Sequence, residues 1–336
     1  MRTVFSLPVL ATVALFSFPL YPAQAAQAAP ISLQKPIACT IGKDCFIQQY
    51  ADHDAGPGEA DYMCGTAVYD GHDGTDFRIA DKVAQARGVA VVAAADGVVK
   101  GFRDGQPDFD VGAFDRDKVK GIECGNGVLI MHADGWETQY CHMRQGSVKV
   151  KTGDLVKAGT VLGLVGQSGD AEFPHVHLTV RYQGKAVDPF AFGTTTCDAK
   201  QGESHFLWRQ ADRAELAYHD TVVITGAFAT SALTEADIDR GGIAAPVAES
   251  PALVFYGRAI NLHKGDTQTL SLTGPDGKVI VDNHIAGVER DKALYMAFTG
   301  KKLTVARWPA GTYKGTYSVL RDGKPVATQT FAYVIK

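Results

Sequence analysis

Over most of the chain, apolar and polar residues alternate with a period of two, and little recurs at the 3.6-residue period of a helix. Val176, Leu178 and Val180 alternate with polar neighbours, which predicts a strand over 176–182 with a second over 161–165 before it. Val89 to Ala95 is a continuous apolar run, Asp96-Gly97 signals a turn, and Val98-Val99 resumes the run. Residues 127–132 and 137–143 flank Ala133-Asp134-Gly135-Trp136, the pattern of a hairpin. Farther on, Gly274-Pro275-Asp276-Gly277 and Arg321-Asp322-Gly323-Lys324 each separate two β-rich runs, again as hairpins. The expected fold is all-β and mainly antiparallel. A β domain over 61–195 is followed by a linker at 196–216 and a small, immunoglobulin-like β-sandwich over 217–336. Residues 102–123 read as an Asp/Gly-rich insertion, and 26–60 as an irregular N-terminal arm, punctuated at Asp52 to Gly58.

The first 25 residues stand apart. Arg2 precedes a nearly all-apolar run from Val4 to Leu20, and Ala23-Gln24-Ala25 is a small-x-small cleavage site, the signature of a signal peptide over 1–25. A membrane anchor is the competing reading, but a run of about 17 residues lies at the lower limit of a span. No later segment is long and apolar enough to cross a bilayer, so the expected location is the periplasm or the extracellular medium. Six cysteines in an exported chain suggest up to three disulfides, with 15 possible pairings, and no C-x-x-C spacing supports a cysteine metal site. With 336 residues, 46% hydrophobic and 21% charged, the composition is that of two ordinary globular domains. The net charge of −4 and the lack of a basic block argue against nucleic acid as a partner, and a monomer is expected.

Three short patterns carry chemistry: Gly71-His72-Asp73-Gly74-Thr75-Asp76-Phe77, Gln139-Tyr140-Cys141-His142-Met143, and Pro174-His175-Val176-His177-Leu178. In a strand, His175 and His177 project from one face and the flanking valines and leucine from the other. His72 and Asp76 would lie about 13 Å apart in an extended strand, too far to share an ion, so a bend or bulge at Gly74 is required. His72, Asp76 and His177 then supply two imidazoles and one carboxylate, and a water completes the open tetrahedron of a catalytic zinc. Thr138, Tyr140 and His142 are expected to share a strand face, with Cys141 on the other. His142 and His175 are assigned to proton handling, and the residues leave open which accepts and which donates. The remaining histidines, His132 in the facing strand included, lack such context.

At these residues the chain resembles the lysostaphin-like, or LytM-type, zinc endopeptidases of peptidase family M23. That family's pattern is His-x-x-x-Asp, then a His at a strand end, then His-x-His. Here it is met by His72 and Asp76, by His142, and by His175 and His177. The segments Val91 to Val99, Gly125 to Tyr140, Gly153 to Gly159, Gly166 to Gly169 and Val187-Asp188-Pro189 are also similar, so the resemblance covers roughly 61–195. It implies one Zn2+ per chain on His72, Asp76 and His177, with His142 and His175 catalytic. It also implies hydrolysis of peptide bonds in peptidoglycan stem or cross-bridge peptides. Phe173-Pro174 departs from the Gly usual before His-x-His, and the 102–123 insertion departs at the groove wall. Two competing functions are a non-catalytic protein of the same fold that binds the wall or activates another hydrolase, and a peptidase of soluble proteins. The C-terminal domain is expected as a targeting or packing module.

Overall fold

The period-two runs become strands in the computed structural model, which describes Met1 and residues 30–109 and 115–336. The leader expected over 1–25 lies outside the described residues, Met1 excepted, as do 110–114 within the insertion. Residues 31–336 cluster as one compact unit. Its first part holds β1 (Cys45–Gln49), β2 (Thr75–Ile79), α1 (Lys82–Arg87), β3 (Ala90–Val92), β4 (Gly97–Arg103) and β5 (Asn126–Met131). It continues with β6 (Trp136–Met143), β7 (Leu155–Val156), β8 (Val161–Leu164), β9 (His175–Tyr182) and β10 (Lys185–Val187).

The main sheet runs β1-β2-β9-β6-β5-β4-β7, with β10 added to β9, and every ladder is antiparallel. One face carries Phe77, Val128, Ile130, Tyr140, Val176, Leu178 and Val180, all at most 1% exposed, and forms the core. The opposite face carries Asp76, Gln139, His175, His177 and Arg181. The strands on the two sides of the Asp96-Gly97 turn do not pair with each other, because β3 pairs with β8 in a separate two-stranded sheet while β4 pairs with β5 and β7. The arm is not wholly irregular either: β1 forms the outer strand beside β2, and the disulfide Cys39–Cys45 secures its start. With both faces of β1 covered, it shows no alternation to read.

Residues 196–216, expected as a linker, are packed. Cys197 is bonded to Cys64, and Leu207, Trp208 and Leu216 enter the first core beside Phe77 and Phe190. The short α2 (Gln210–Arg213) ends this stretch. Closing a loop of 133 residues, the Cys64–Cys197 bridge restricts the unfolded chain. The double variant Cys64→Ser/Cys197→Ser is therefore expected to lose about 2–4 kcal/mol of unfolding free energy in urea titrations. An unchanged midpoint would mean that this bridge adds nothing to stability.

Beyond it come β11 (Val222–Ala229), α3 (Glu235–Arg240), β12 (Ala252–Leu262), β13 (Thr267–Thr273), β14 (Val279–Ile285), β15 (Lys292–Lys302), β16 (Gly311–Arg321) and β17 (Lys324–Ile335). Sheet β11-β12-β15 packs on sheet β14-β13-β16-β17 through Leu253, Phe255, Leu270, Leu272, Tyr313 and Tyr317. Lettered A to G in chain order, strands A, B and E face C, F and G, the immunoglobulin arrangement, with the fourth strand on the second sheet.

Candidate active site

Cross-strand register brings the site together. Asp76 on β2 pairs with His177 on β9, and His177 pairs on its other side with Cys141 on β6. Directly opposed residues of an antiparallel pair project on the same face with their Cβ atoms about 5 Å apart, so Asp76 and His177 meet by construction. His72 precedes β2, and a bend at Gly74 turns it back over Asp76. A Cβ at Gly74 would stand 2.5 Å from the Leu178 carbonyl oxygen and 2.6 Å from His177 Nε2. Only glycine lets the bend pass so close to the ring. Gly74→Ala is expected to displace His177 and weaken the hold of the cluster on a metal ion about 10–100-fold, the scale set by disturbing the support of a metal ligand. Competition with a chromophoric chelator measures this, and an unchanged affinity would refute the role given to Gly74.

The ligand-type atoms converge. Asp76 Oδ1 lies 2.9 Å from His177 Nδ1 and 3.3 Å from His72 Nε2, and the two nitrogens are 3.1 Å apart. The edge of a tetrahedron whose centre is about 2.0–2.1 Å from each corner is about 3.3 Å, the spacing a zinc ion requires. Hydrogen bonds at the far side of each ring assign the tautomers. His72 Nδ1 donates to the Tyr50 carbonyl at 2.6 Å, which leaves Nε2 as a lone pair. His177 Nε2 donates to Thr179 Oγ1 at 2.9 Å and toward Asp73 Oδ1 at 3.2 Å, so Nδ1 is the nitrogen turned toward His72 and Asp76. Three ligand-type atoms thus face one point in a buried place, an arrangement that suits a shared cation or, in its place, a proton on His177 Nδ1. His72, Asp76 and His177 form the one such group of three among the described residues.

The electrostatics show the proton that can stand where a cation would. Burial pushes the Asp76 carboxyl up, but the charges of His72 and His175 and hydrogen bonds from His177 and His72 outweigh it and hold it well below the usual range. Burial works against a charged His177, yet hydrogen bonds to Asp73 and Asp76 win and raise it to about 9. Asp73 is held low chiefly by its hydrogen bond from His177.

His142 and His175 stand beside this cluster, their ring centroids 4.6 Å apart. His175 Nδ1 donates to the Phe173 carbonyl at 2.8 Å, and its Nε2 lies 3.5 Å from Asp76 Oδ1. His142 Nδ1 donates to the Ser168 carbonyl at 2.8 Å. Burial lowers both imidazoles, His142 well below its ordinary value with help from His175 and His177. The expected sharing of a face by Thr138, Tyr140 and His142 fails at the last of them. Thr138 and Tyr140 point into the core, whereas His142 has φ +62°, a left-handed conformation that swings its ring to the Gln139 and Cys141 side. The disulfide Cys124–Cys141 and the bond from His142 N–H to the Cys124 carbonyl (2.8 Å) hold this turn.

Sequence reading missed the groups that orient the rings. Asp73 lies inside the first motif, and Thr179 follows His177 on the same strand face, so alternation could have found it. The carbonyls of Tyr50, Phe173 and Ser168 carry no side-chain signal. His132, in the facing strand, is elsewhere, bonded to the Asp96 carbonyl and Thr138 Oγ1.

A groove crosses the cluster. One stretch, of about 330 Å³, runs past Gln139, Thr179 and Arg181; the other, of about 460 Å³, runs past His175 and Phe173. Both include Tyr69, His142, Asp170 and His177, so both border the cluster.

Residues 70–189 match the profile of the family described as Peptidase family M23, a span that contains all five residues of the site. The DD-carboxypeptidase/endopeptidase Mpg of Neisseria meningitidis is 30% identical over 146 residues, 43% of this chain and 28% of that protein. The peptidoglycan DD-endopeptidase ShyA of Vibrio cholerae is 31% identical over 117 residues, 35% of this chain and 22% of that protein. The match therefore spans less than a third of either relative's length. Among solved structures, the catalytic domain of the prophage-encoded M23 protein EnpA from Enterococcus faecalis aligns over 44% of this chain and 92% of that domain, with 26% identity and a TM-score of 0.30.

Proposed function

Proceeding from a chain whose residues 70–189 form a peptidase family M23 domain, we propose that it is an exported, zinc-dependent endopeptidase that hydrolyses peptide bonds in peptidoglycan stem or cross-bridge peptides. The observation that carries this reading is the meeting of His72 Nε2, Asp76 Oδ1 and His177 Nδ1 at tetrahedral spacing, with His177 lining both groove stretches. Peptidoglycan enters the reading through relatives named as hydrolases of that polymer. Export is supported by three disulfides. We assign the peptidase to 61–195 and the sandwich to 217–336.

A zinc ion held by these three residues supplies Lewis-acid polarisation of a carbonyl and a lowered pKa for a water. The remaining work falls to the chain. Tyr50, Asp73 and Thr179 fix the rings so that their lone pairs meet. His142 and His175 each spend Nδ1–H on a carbonyl, which leaves Nε2 to accept a proton from the attacking water and to return one to the departing amine. Holding both imidazoles beside the groove removes the entropic cost of gathering them at each turnover.

The test is direct. Purified mature protein, loaded with one equivalent of zinc, is incubated with peptidoglycan, and released primary amines and muropeptide masses are followed. New amines that vanish with chelator and return with zinc are expected. Zinc bound at full stoichiometry with no amine released would end the peptidase reading in favour of a wall-binding protein. Cleavage of casein without cleavage of wall would redirect it to soluble proteins.

A further inference from the structure

The groove stretch beside His175 is not walled by the peptidase alone. Ala293 and Leu294, at the start of β15, line it together with Phe173, although both belong to the sandwich. Gln48 and Gln49 of β1 and Arg78 of β2 line the same stretch. We propose that the C-terminal sandwich is a working wall of the substrate groove, and that Ala293 and Leu294 favour an uncharged substrate side chain of modest size in the stretch beside His175. The identity of the ligand rests on the peptidase reading above; the wall itself does not.

A wall that selects must be rigid, and this one is tied down at several points. Gln48 Nε2 donates to the Ala293 carbonyl at 3.4 Å, and Asn261 Nδ2 of β12 donates to the Gln48 carbonyl at 2.7 Å. Arg258 of β12, 1% exposed, donates to the Ala80 carbonyl at 2.6 Å and lies 3.7 Å from Asp81, the N-cap of α1. Its other nitrogen meets Glu235 and Asp239 of α3 at 3.2 Å each. Phe46 of β1 and Ile224 and Ile260 of the sandwich share one apolar cluster, against which Leu294 packs. A targeting module on a flexible tether would need none of these contacts.

The chemistry of the wall indicates what it accepts. Ala293 and Leu294 are apolar, and Phe173 lines the same stretch. Arg78 is already engaged: its guanidinium lies 4.7 Å from the centroid of the Phe173 ring and bonds to Gln48 Oε1 and the Ile79 carbonyl. The other charged side chains of this stretch, Asp76, Arg116, Asp170 and Glu172, all belong to the peptidase part, so the sandwich offers only apolar surface, against which a compact uncharged side chain would be buried.

Binding and turnover are separated by working in the His142→Ala protein, zinc-loaded, with fluorescently labelled soluble peptidoglycan fragments read by anisotropy. Ala293→Trp narrows the groove and is expected to weaken binding roughly ten-fold or more, the scale at which a shaped pocket rejects misfits. In the otherwise unaltered enzyme the same change should raise KM with little effect on kcat. Leu294→Ala widens the groove and should shift products toward fragments with larger residues at that position. It also serves as the second variant if Ala293→Trp lowers the melting temperature. Unchanged affinity in Ala293→Trp, or an unchanged product pattern in Leu294→Ala, would overturn the proposal. Fragments that bind and respond to Ala293→Trp but are never cut by the unaltered enzyme would remove the peptidase reading and keep the wall. No binding by the parent protein would remove both.

Discussion

Asp76→Ala is expected to leave a folded protein that no longer holds zinc and no longer releases amines from peptidoglycan. Asp76 Oδ1 is the hub of the cluster, within 2.9–3.5 Å of ring nitrogens on His177, His72 and His175. It is also the only carboxylate among the three ligand-type residues. Removing it leaves two neutral imidazoles to offset the charge of a divalent ion in a buried place. Loss of mere support for a ligand costs about 10–100-fold in metal affinity, so loss of the ligand itself should exceed about 100-fold. The backbone pairing of β2 with β1 and β9 does not involve the side chain, and the core-facing Phe77 and Ile79 are untouched. Metal analysis after gel filtration gives the result, with circular dichroism as the check on folding. One zinc per chain retained in the variant would sink the assignment of the centre.

The second large effect divides the site by role. His142→Ala should keep its zinc and lose about 10²–10⁴-fold in kcat, the range attributed to a positioned general acid or base. His142 is not one of the three converging atoms, and its Nδ1 is committed to the Ser168 carbonyl. The replacement keeps a Cβ in the left-handed conformation already imposed at φ +62°, so the local backbone need not change. An interaction made only in the transition state lowers kcat and leaves KM nearly unchanged. Zinc lost together with activity would mean that His142 is a ligand, and activity retained would mean that His175 handles both proton transfers.

What could be read from the chain beforehand follows from where the information sits. Strand β9 was legible because one of its faces is core and the other is site, so Val176, Leu178 and Val180 alternate with His175, His177 and Thr179. The turn between β5 and β6 was legible because Asp134 and Gly135 adopt φ +57° and +81°, conformations that few other residue pairs accept. The convergence of His72, Asp76 and His177 could be anticipated because imidazole and carboxylate side chains carry their chemistry in the residue type itself. The orientation of His142 was not, since it depends on one backbone angle rather than on residue type. Nor was the partner of β3, because Asp96-Gly97 reports a turn and not the sheet the chain enters next. Trp208 was read as linker because only a distant core explains its burial. The carbonyls of Tyr50, Phe173 and Ser168 belong to every residue type alike. Ala293 and Leu294 carry no mark of the groove they line, which arises only where β15 comes up beside β1 and β2 in the folded chain.

The bridge from Cys64 to Cys197 encloses His72, Asp76, His142, His175 and His177 in one covalent ring. A protease that nicks the surface anywhere from 65 to 196 therefore opens the ring without releasing a piece. The two fragments would migrate as one species until a reductant is added. Damage of this kind need not disperse the centre, and an assay of nicked material should be run with and without thiol before any loss of function is ascribed to the cut.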